Sequence, residues 1–346
     1  VKHDSRWLRW LWPLSLVYSA VARAKARCYA RGIFRTRKLP GRVISVGNLT
    51  VGGTGKTPVV LAIAEHLAAE GKHAAILTRG YRGTSGSGPT GVPQSDEVAL
   101  LRERLKGKVQ LGVGANRCAS GMVLARHGVD SFVLDDGFQH LKLARDADVV
   151  LVDATDPFGG GMVLPAGRLR EPLSALRRAD LVVVTRSVEA TAPAVESIVR
   201  RHTNCPIFYA ALRLESVLRL PRLDVELPPQ DWQRARFLAF CAIGNSAAFF
   251  GDLRMWGFQI PEQRSFGDHH VYTAAEAAQL EQSALACGVD GLLCTEKDVW
   301  NLRNVQFASL PVYCCRISVD LPDRFWSALS EVMDAANRPN AGGSAP

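Results

Sequence analysis

Val43-Ile44-Ser45-Val46-Gly47-Asn48, continuing as Leu49-Thr50-Val51-Gly52-Gly53-Thr54-Gly55-Lys56-Thr57-Pro58, is the stretch that decides the fold. Residues 43–47 read as a short buried strand, and residues 58–70 read as a helix. Pro58 falls in the first helical turn, where its missing N–H costs nothing. Strand, glycine-rich turn and helix in that order are the setting a phosphate-binding loop requires. The glycines let backbone N–H groups turn onto phosphate oxygens, and the helix N-terminus adds its partial positive charge. In such a loop Gly52, Gly53, Thr54, Gly55, Lys56 and Thr57 hold the nucleotide. Lys56 bridges the β- and γ-phosphates and the Thr57 hydroxyl ligates Mg²⁺. The usual GxxxxGK[ST] pattern has glycine where this chain has Thr50. Dimeric partition-type ATPases carry an extra lysine at the position of Val51, so this chain lacks their signature residue.

Outward from the loop, further apolar runs at 73–78, 109–113, 132–135, 149–152 and 181–185 alternate with helical patterns at 96–105 and 115–127. Continuous rather than alternating apolar strands suit a parallel sheet covered on both faces. We therefore expect an α/β fold, a P-loop doubly wound parallel sheet. Around 212–229 prolines break the pattern, and a second alternation follows. Its strands are expected at 237–243, 291–295 and 312–317, with helices at 246–256 and 273–287. The expected division is an N-terminal basic helix (1–40), a P-loop domain (41–212), an extended β linker (213–232), a second, smaller Rossmann-like α/β domain (233–336) and a disordered tail (337–346).

The chain has 346 residues, 47% of them apolar and 22% charged, which is globular composition with room for two domains. Residues 1–42 hold eleven Lys or Arg against one Asp, so this segment accounts for the net +9 and the rest is nearly neutral. A nucleic-acid enzyme would more often carry that charge around its cleft, and no nucleic-acid partner is expected. The eight cysteines show no CxxC pair, as in a reducing compartment. Residues 7–22, WLRWLWPLSLVYSAVA, are apolar but too short to span a bilayer. A signal peptide is the rival reading; the basic run directly after it and the nucleotide loop beyond favour a helix lying in the membrane interface.

Ser131-Phe132-Val133-Leu134-Asp135-Asp136-Gly137-Phe138-Gln139-His140 sets paired carboxylates at the end of a strand, where a P-loop enzyme keeps its second metal-holding residue. Adjacent like charges are costly without a cation nearby. Asp153, which also ends an apolar run, is the rival. Thr295-Glu296-Lys297-Asp298 superficially resembles a guanine-reading motif but lies far from the loop. A membrane-associated switch ATPase or GTPase is thus one competing class, and a soluble small-molecule kinase is another.

Taken in order, several motifs resemble the tetraacyldisaccharide 4'-kinase (lipid A 4'-kinase) family. They are the loop 46–58, Arg79-Gly80-Tyr81-Arg82-Gly83, Asp135–His140 and Leu164-Pro165-Ala166-Gly167-Arg168-Leu169-Arg170-Glu171-Pro172. Ile243-Gly244-Asn245, Asp268-His269-His270 and the 295–298 motif follow, although Ser246 stands where the family usually has proline. The resemblance implies transfer of the ATP γ-phosphate to the 4'-hydroxyl of tetraacyldisaccharide 1-phosphate, with ATP and Mg²⁺, by a monomer at the cytoplasmic face of a Gram-negative inner membrane.

It further implies that Asp96 is the base and that His269, with His270 the alternative, pairs with it from the second domain, so that turnover depends on domain closure. Arg170 would neutralise the transferring phosphoryl. Asp135, Asp136 and Glu171 would join Thr57 at the metal, either Asp being the direct ligand. Asn48, Tyr81, Arg117, Gln139 and His140 would contact substrate, with Arg168 a weaker candidate. The glycine-rich 83–94 would be a mobile lid.

Overall fold

The computed structural model describes residues 8–80, 95–187 and 191–336; Tyr81, the 83–94 segment and the 337–346 tail lie outside them. The elements run α1 (Trp12–Ala30), β1 (Arg42–Asn48), α2 (Lys56–Ala69), β2 (Ala74–Thr78), α3 (Asp96–Leu105), β3 (Gln110–Val113), α4 (Arg117–Arg126), β4 (Ser131–Asp135) and β5 (Ala147–Asp153). They continue through β6 (Leu181–Thr185), α5 (Ala192–Arg200), β7 (Ile207–Arg219), α6 (Pro229–Trp232), β8 (Arg236–Cys241), α7 (Ser246–Met255) and β9 (Gln259–Ser265). The last are α8 (Ala274–Ala286), β10 (Gly291–Thr295), α9 (Asp298–Asn301), β11 (Val312–Asp320) and α10 (Asp323–Ala336).

The chain divides into two compact units, Val1–Arg79 with Leu105–Ala211 and Val319–Pro346, and Gly80–Arg104 with Leu212–Ser318. In the first unit the strand order is β3-β2-β4-β1-β5-β6-β7, and every pair is parallel. Val43, Ile44, Val46, Phe132, Val133 and Leu134 are fully buried, as strands covered on both faces must be. The chain leaves β1 toward β2 on one side and later fills β5 to β7 on the other. β1 therefore sits where the order reverses, and the crevice at the carboxyl ends there is the usual ligand position in such sheets. Gly47 admits Phe138 against the strand: a Cβ on Gly47 would lie 2.7 Å from Phe138 Cβ and 2.8 Å from its N. Gly47→Ala is expected to cost about 1–3 kcal/mol by overpacking, read as a lowered thermal midpoint; an unchanged midpoint would mean that the Asp136–Phe138 turn is free to retreat.

In the second unit the later part of β7 lies beside β11, followed by β10, β8 and β9. The pairs β11–β10, β10–β8 and β8–β9 are parallel. α8 starts with a capping box between Thr273 and Glu276, a local signal worth about 1 kcal/mol.

Two features depart from contiguous division. The segment carrying Asp96 groups with the second unit rather than with 41–212, and α10 groups with the first. There Phe325 is fully buried against Phe208. The first part of the expected linker is strand, since β7 runs unbroken to Arg219. A turn follows it, closed by Leu227 N–H donating to Val217 O at 2.7 Å.

The N-terminal helix turns its small polar residues inward. Ser15 and Ser19 are buried, while Trp10, Trp12, Leu14, Leu16, Val17 and Val21 are exposed. Ser15 Oγ accepts from Ala166 N–H at 3.0 Å, which seats α1 on the 163–170 loop.

Candidate active site

The loop after β1 turns through Gly52 at φ 110° and Gly55 at φ 75°, conformations that glycine adopts at little cost. Asn48, at 0% exposure, organises it from inside. Its amide donates to Thr50 O at 2.9 Å and Thr50 Oγ1 at 3.1 Å, while its Oδ1 accepts from Lys56 Nζ at 3.1 Å. Gln139 Nε2 donates to Asn48 O at 3.0 Å. Asn48 and Gln139, expected as substrate contacts, therefore brace the loop and its lysine. Arg168 clamps the loop from outside: its O accepts from Val51 N–H at 2.8 Å and its guanidinium donates to Val51 O at 3.0 Å. Asp156 pairs with the same guanidinium.

Asp135 and Asp136 end β4 beside this loop. Asp135 Oδ2 accepts from Thr78 Oγ1 at 3.1 Å. Asp136, at a left-handed φ of 49°, faces Lys56 Nζ at 3.6 Å and accepts from Arg170 Nη1 at 2.6 Å. Burial works against its charge, but Lys56 and Arg170 outweigh that and hold its carboxyl down at about 2. Arg117 is buried, not solvated, and donates to Asp136 O at 3.1 Å. Burial lowers its pKa, against the pull of Asp135 and Asp136. His140 is pushed down to about 4 by burial and then by Arg117, so it is neutral at pH 7. Lys56, Arg117 and Arg170 thus surround one carboxylate pair, a concentration of positive charge suited to phosphate.

Thr54 Oγ1, Asp136 Oδ1 and Gln139 Oε1 are buried with no hydrogen-bond partner. Buried polar atoms are normally paired, so three such atoms around one loop mark a place for a polar ligand. Among the described residues no group of three or more His, Cys, Asp or Glu converges as a metal cage. Mg²⁺ does not require one, since it binds through one or two carboxylates, water and substrate phosphates. Asp135, Asp136, whose Oδ1 takes no hydrogen bond, and Thr57 supply hard oxygens of the kind Mg²⁺ takes, so the donor chemistry fits that ion. Glu171 is turned elsewhere: both its oxygens accept from Arg178, at 2.9 and 3.0 Å. Asp153 is likewise committed, to Arg186 at 2.8 Å and Thr155 Oγ1 at 2.6 Å.

A second cluster lies within the other unit. Asp96, 7% exposed, accepts from Glu97 N–H at 2.8 Å and from His269 Nδ1 at 3.1 and 2.9 Å. Burial opposes the Asp96 charge, yet the hydrogen bond and charge of His269 bring its pKa below the usual carboxylate value. That same hydrogen bond raises His269, against burial. His269 is held at φ 61°, a strained conformation of the sort that gathers at functional sites. His270 instead pairs with Glu276 at 2.9 Å and stacks on Phe266.

The profile of the family described as tetraacyldisaccharide-1-P 4'-kinase matches residues 7–334. The chain belongs to this family. The tetraacyldisaccharide 4'-kinase of Geobacter metallireducens is 41% identical over 323 residues, 90% of this chain and 93% of that protein. That of Geobacter sulfurreducens is 39% identical over 310 residues, 86% and 85% of the two chains. Among solved structures, LpxK from Aquifex aeolicus, described as an "apo" form in complex with ATP, matches with a TM-score of 0.69 and 29% identity. The match covers 94% of this chain and 99% of that one.

Within this 4'-kinase family member, Asp96 and His269 do meet, but both belong to one unit. The pairing itself therefore needs no closure between domains, contrary to the sequence expectation. Sequence reasoning overlooked Arg178, which engages Glu171 and stands 4.5 Å over the Phe138 ring. Nothing in an arginine seven residues downstream of a glutamate signals that contact. Asn301 was also overlooked, although it donates to Asp96 Oδ2 at 3.4 Å.

Proposed function

We propose that this chain transfers the γ-phosphate of ATP to the 4'-hydroxyl of tetraacyldisaccharide 1-phosphate, a step of lipid A biosynthesis. The observation that carries the proposal is the glycine-turned loop of a 4'-kinase family member with Lys56 and Arg170 converging on Asp136. The substrate oxygen attacks the γ-phosphorus, the bond from phosphorus to the β-bridging oxygen breaks, and ADP leaves. Lys56 follows the phosphate charge, Arg170 neutralises the transferring group, and Arg117 and neutral His140 orient anionic and hydroxyl groups by hydrogen bonds. Asp96 accepts the hydroxyl proton, and His269 orients that carboxylate and takes up the charge. When bound, Mg²⁺ neutralises charge on the phosphate oxygens, with Thr57, Asp135 and Asp136 the residues that would hold it.

Tyr81 is assigned to substrate by family resemblance alone. The second unit is read as a Rossmann-like domain and the active form as a monomer. Phosphate transfer from γ-labelled ATP to tetraacyldisaccharide 1-phosphate in detergent micelles tests the proposal; ATP hydrolysis without labelled lipid would reject it.

α1 is proposed to rest on the cytoplasmic face of the inner membrane. No described helix is long and apolar enough to cross a membrane. The exposed Trp10, Leu14, Val17 and Val21, with Arg23, Lys25 and Arg27 following, suit an interfacial helix on anionic lipid. The double variant Val17→Asp, Val21→Asp is expected to weaken binding to phosphatidylglycerol vesicles by about tenfold or more, each valine contributing about 1.5 kcal/mol. Undiminished flotation with the vesicles would overturn the membrane role.

A further inference from the structure

Thr295-Glu296-Lys297-Asp298 stood out in the sequence and has no part in the chemistry above. Asp298 is fully buried, which excludes a base-reading role. Its carboxylate accepts from Thr295 Oγ1 at 2.5 Å, Thr295 N–H at 3.1 Å, Ala242 N–H at 2.8 Å and Tyr272 OH at 2.8 Å. These bonds fasten the carboxyl ends of β8 and β10 to the start of α9.

Two arms of this anchor reach the Asp96–His269 pair. Ala242, held through its N–H, accepts from His269 N–H at 3.1 Å and so supports the residue at positive φ. α9 carries Asn301, whose Nδ2 donates at 3.4 Å to the same Asp96 oxygen that accepts from His269 at 2.9 Å. Lys297, between them, donates to Glu97 Oε1 at 2.7 Å, one residue beyond Asp96. With Glu97 N–H on the other oxygen, the Asp96 carboxylate is fixed against rotation by three donors.

We propose that the 295–301 segment is the positioning element of the Asp96–His269 pair, with Asn301 the positioning residue that sets the Asp96 carboxylate plane. The proposal rests on the reading of Asp96 as the base. A neutral amide suits this place: it donates to the carboxylate without competing with His269 for its charge. Lys297 makes its hydrogen bond to Glu97, and its charge adds to that of His269 in holding Asp96 ionised.

The test is Asn301→Asp in the full chain, an isosteric change that removes the donor and sets a like charge beside Asp96. The expected result is a fall in kcat for 4'-transfer of about tenfold or more, the scale of a hydrogen bond to a charged group. KM for ATP is expected to stay within about twofold. In protein labelled at histidine Cε1, the NMR titration of His269 is expected to move to higher pH, with the acidic limb of the rate profile following it. Asn301→Ala is expected to lower kcat with a smaller titration shift.

Wild-type kcat with an unmoved His269 titration would overturn the proposal. So would a loss of kcat accompanied only by a lowered thermal midpoint. Asp96→Asn assayed in parallel separates the two claims. If that variant turns over normally, the base reading fails, and the His269 titration in Asn301→Asp still decides whether Asn301 positions the pair.

Discussion

Lys56→Ala is expected to lower 4'-phosphate transfer by about 10²–10³-fold, the effect of removing one preorganised charge donor at a phosphoryl-transfer site. Lys56 is held by Asn48 Oδ1 at 3.1 Å and by Asp136 at 3.6 Å. Little reorganisation is then needed when its ammonium meets phosphate. Its removal also changes the neighbour. Asp136, half-buried, keeps its charge because Lys56, and after it Arg170, stabilise the carboxylate. Without the lysine that carboxyl titrates at higher pH, and the loop loses a charge that meets the nucleotide phosphates. Labelled transfer to tetraacyldisaccharide 1-phosphate, with ATP binding measured by calorimetry, checks both effects. Transfer at the wild-type rate would remove Lys56 from the mechanism.

Asp96→Asn is expected to reduce turnover by about 10²–10⁴-fold while ATP affinity is retained, because a general base acts on the hydroxyl proton and not on the nucleotide. Loss of ATP binding in this variant would sink the assignment. The pair also gives the reaction and the fold a pH dependence with a definite sign. His269 is raised above its ordinary 6.5, so the stability it contributes is complete below 6.5 and is lost as pH rises through the raised value. Asp96 is lowered from its ordinary 3.8, so its contribution is present above 3.8 and is lost as pH falls through the lowered value. The ion pair therefore stabilises the fold most between those two ordinary values.

Turnover runs the other way, because proton uptake needs a neutral imidazole. The acidic limb of kcat/KM is expected above pH 6.5 and is expected to move down into the carboxylate range in His269→Ala. An acidic limb that stays in place in His269→Ala would show that another group sets it.

Local signals made β1 to β6 and their order of appearance legible before any coordinates, whereas β7, whose buried and exposed positions are mixed, was read in part as linker. Continuous apolar runs report two-sided burial, and the glycine turn before Lys56 reports a backbone that must approach phosphate. The paired carboxylates after β4 were legible for the same reason, since they end a buried run. β9, Gln-Ile-Pro-Glu-Gln-Arg-Ser, was not, because its exposed and half-buried positions give no apolar period. The helix α10 was missed too, although Phe325, Leu329 and Met333 lie on one face of it.

Roles inside the site separate along the same line. A sequence names residues capable of binding phosphate but not the direction in which each side chain is used. Asn48 and Gln139 turned inward to hold the loop, Glu171 turned to Arg178, and Asp153 turned to Arg186. The choice between His269 and His270 depended on which of two adjacent rings reached Asp96, 173 residues away. By itself the sequence determined that a strand, a glycine loop and a lysine would make a phosphate site, because those constraints act within a dozen residues. The tertiary structure alone decided which carboxylate pairs with Lys56 and Arg170, and which histidine completes the Asp96 pair, because burial and charge neighbours are set by contacts between distant segments of the chain.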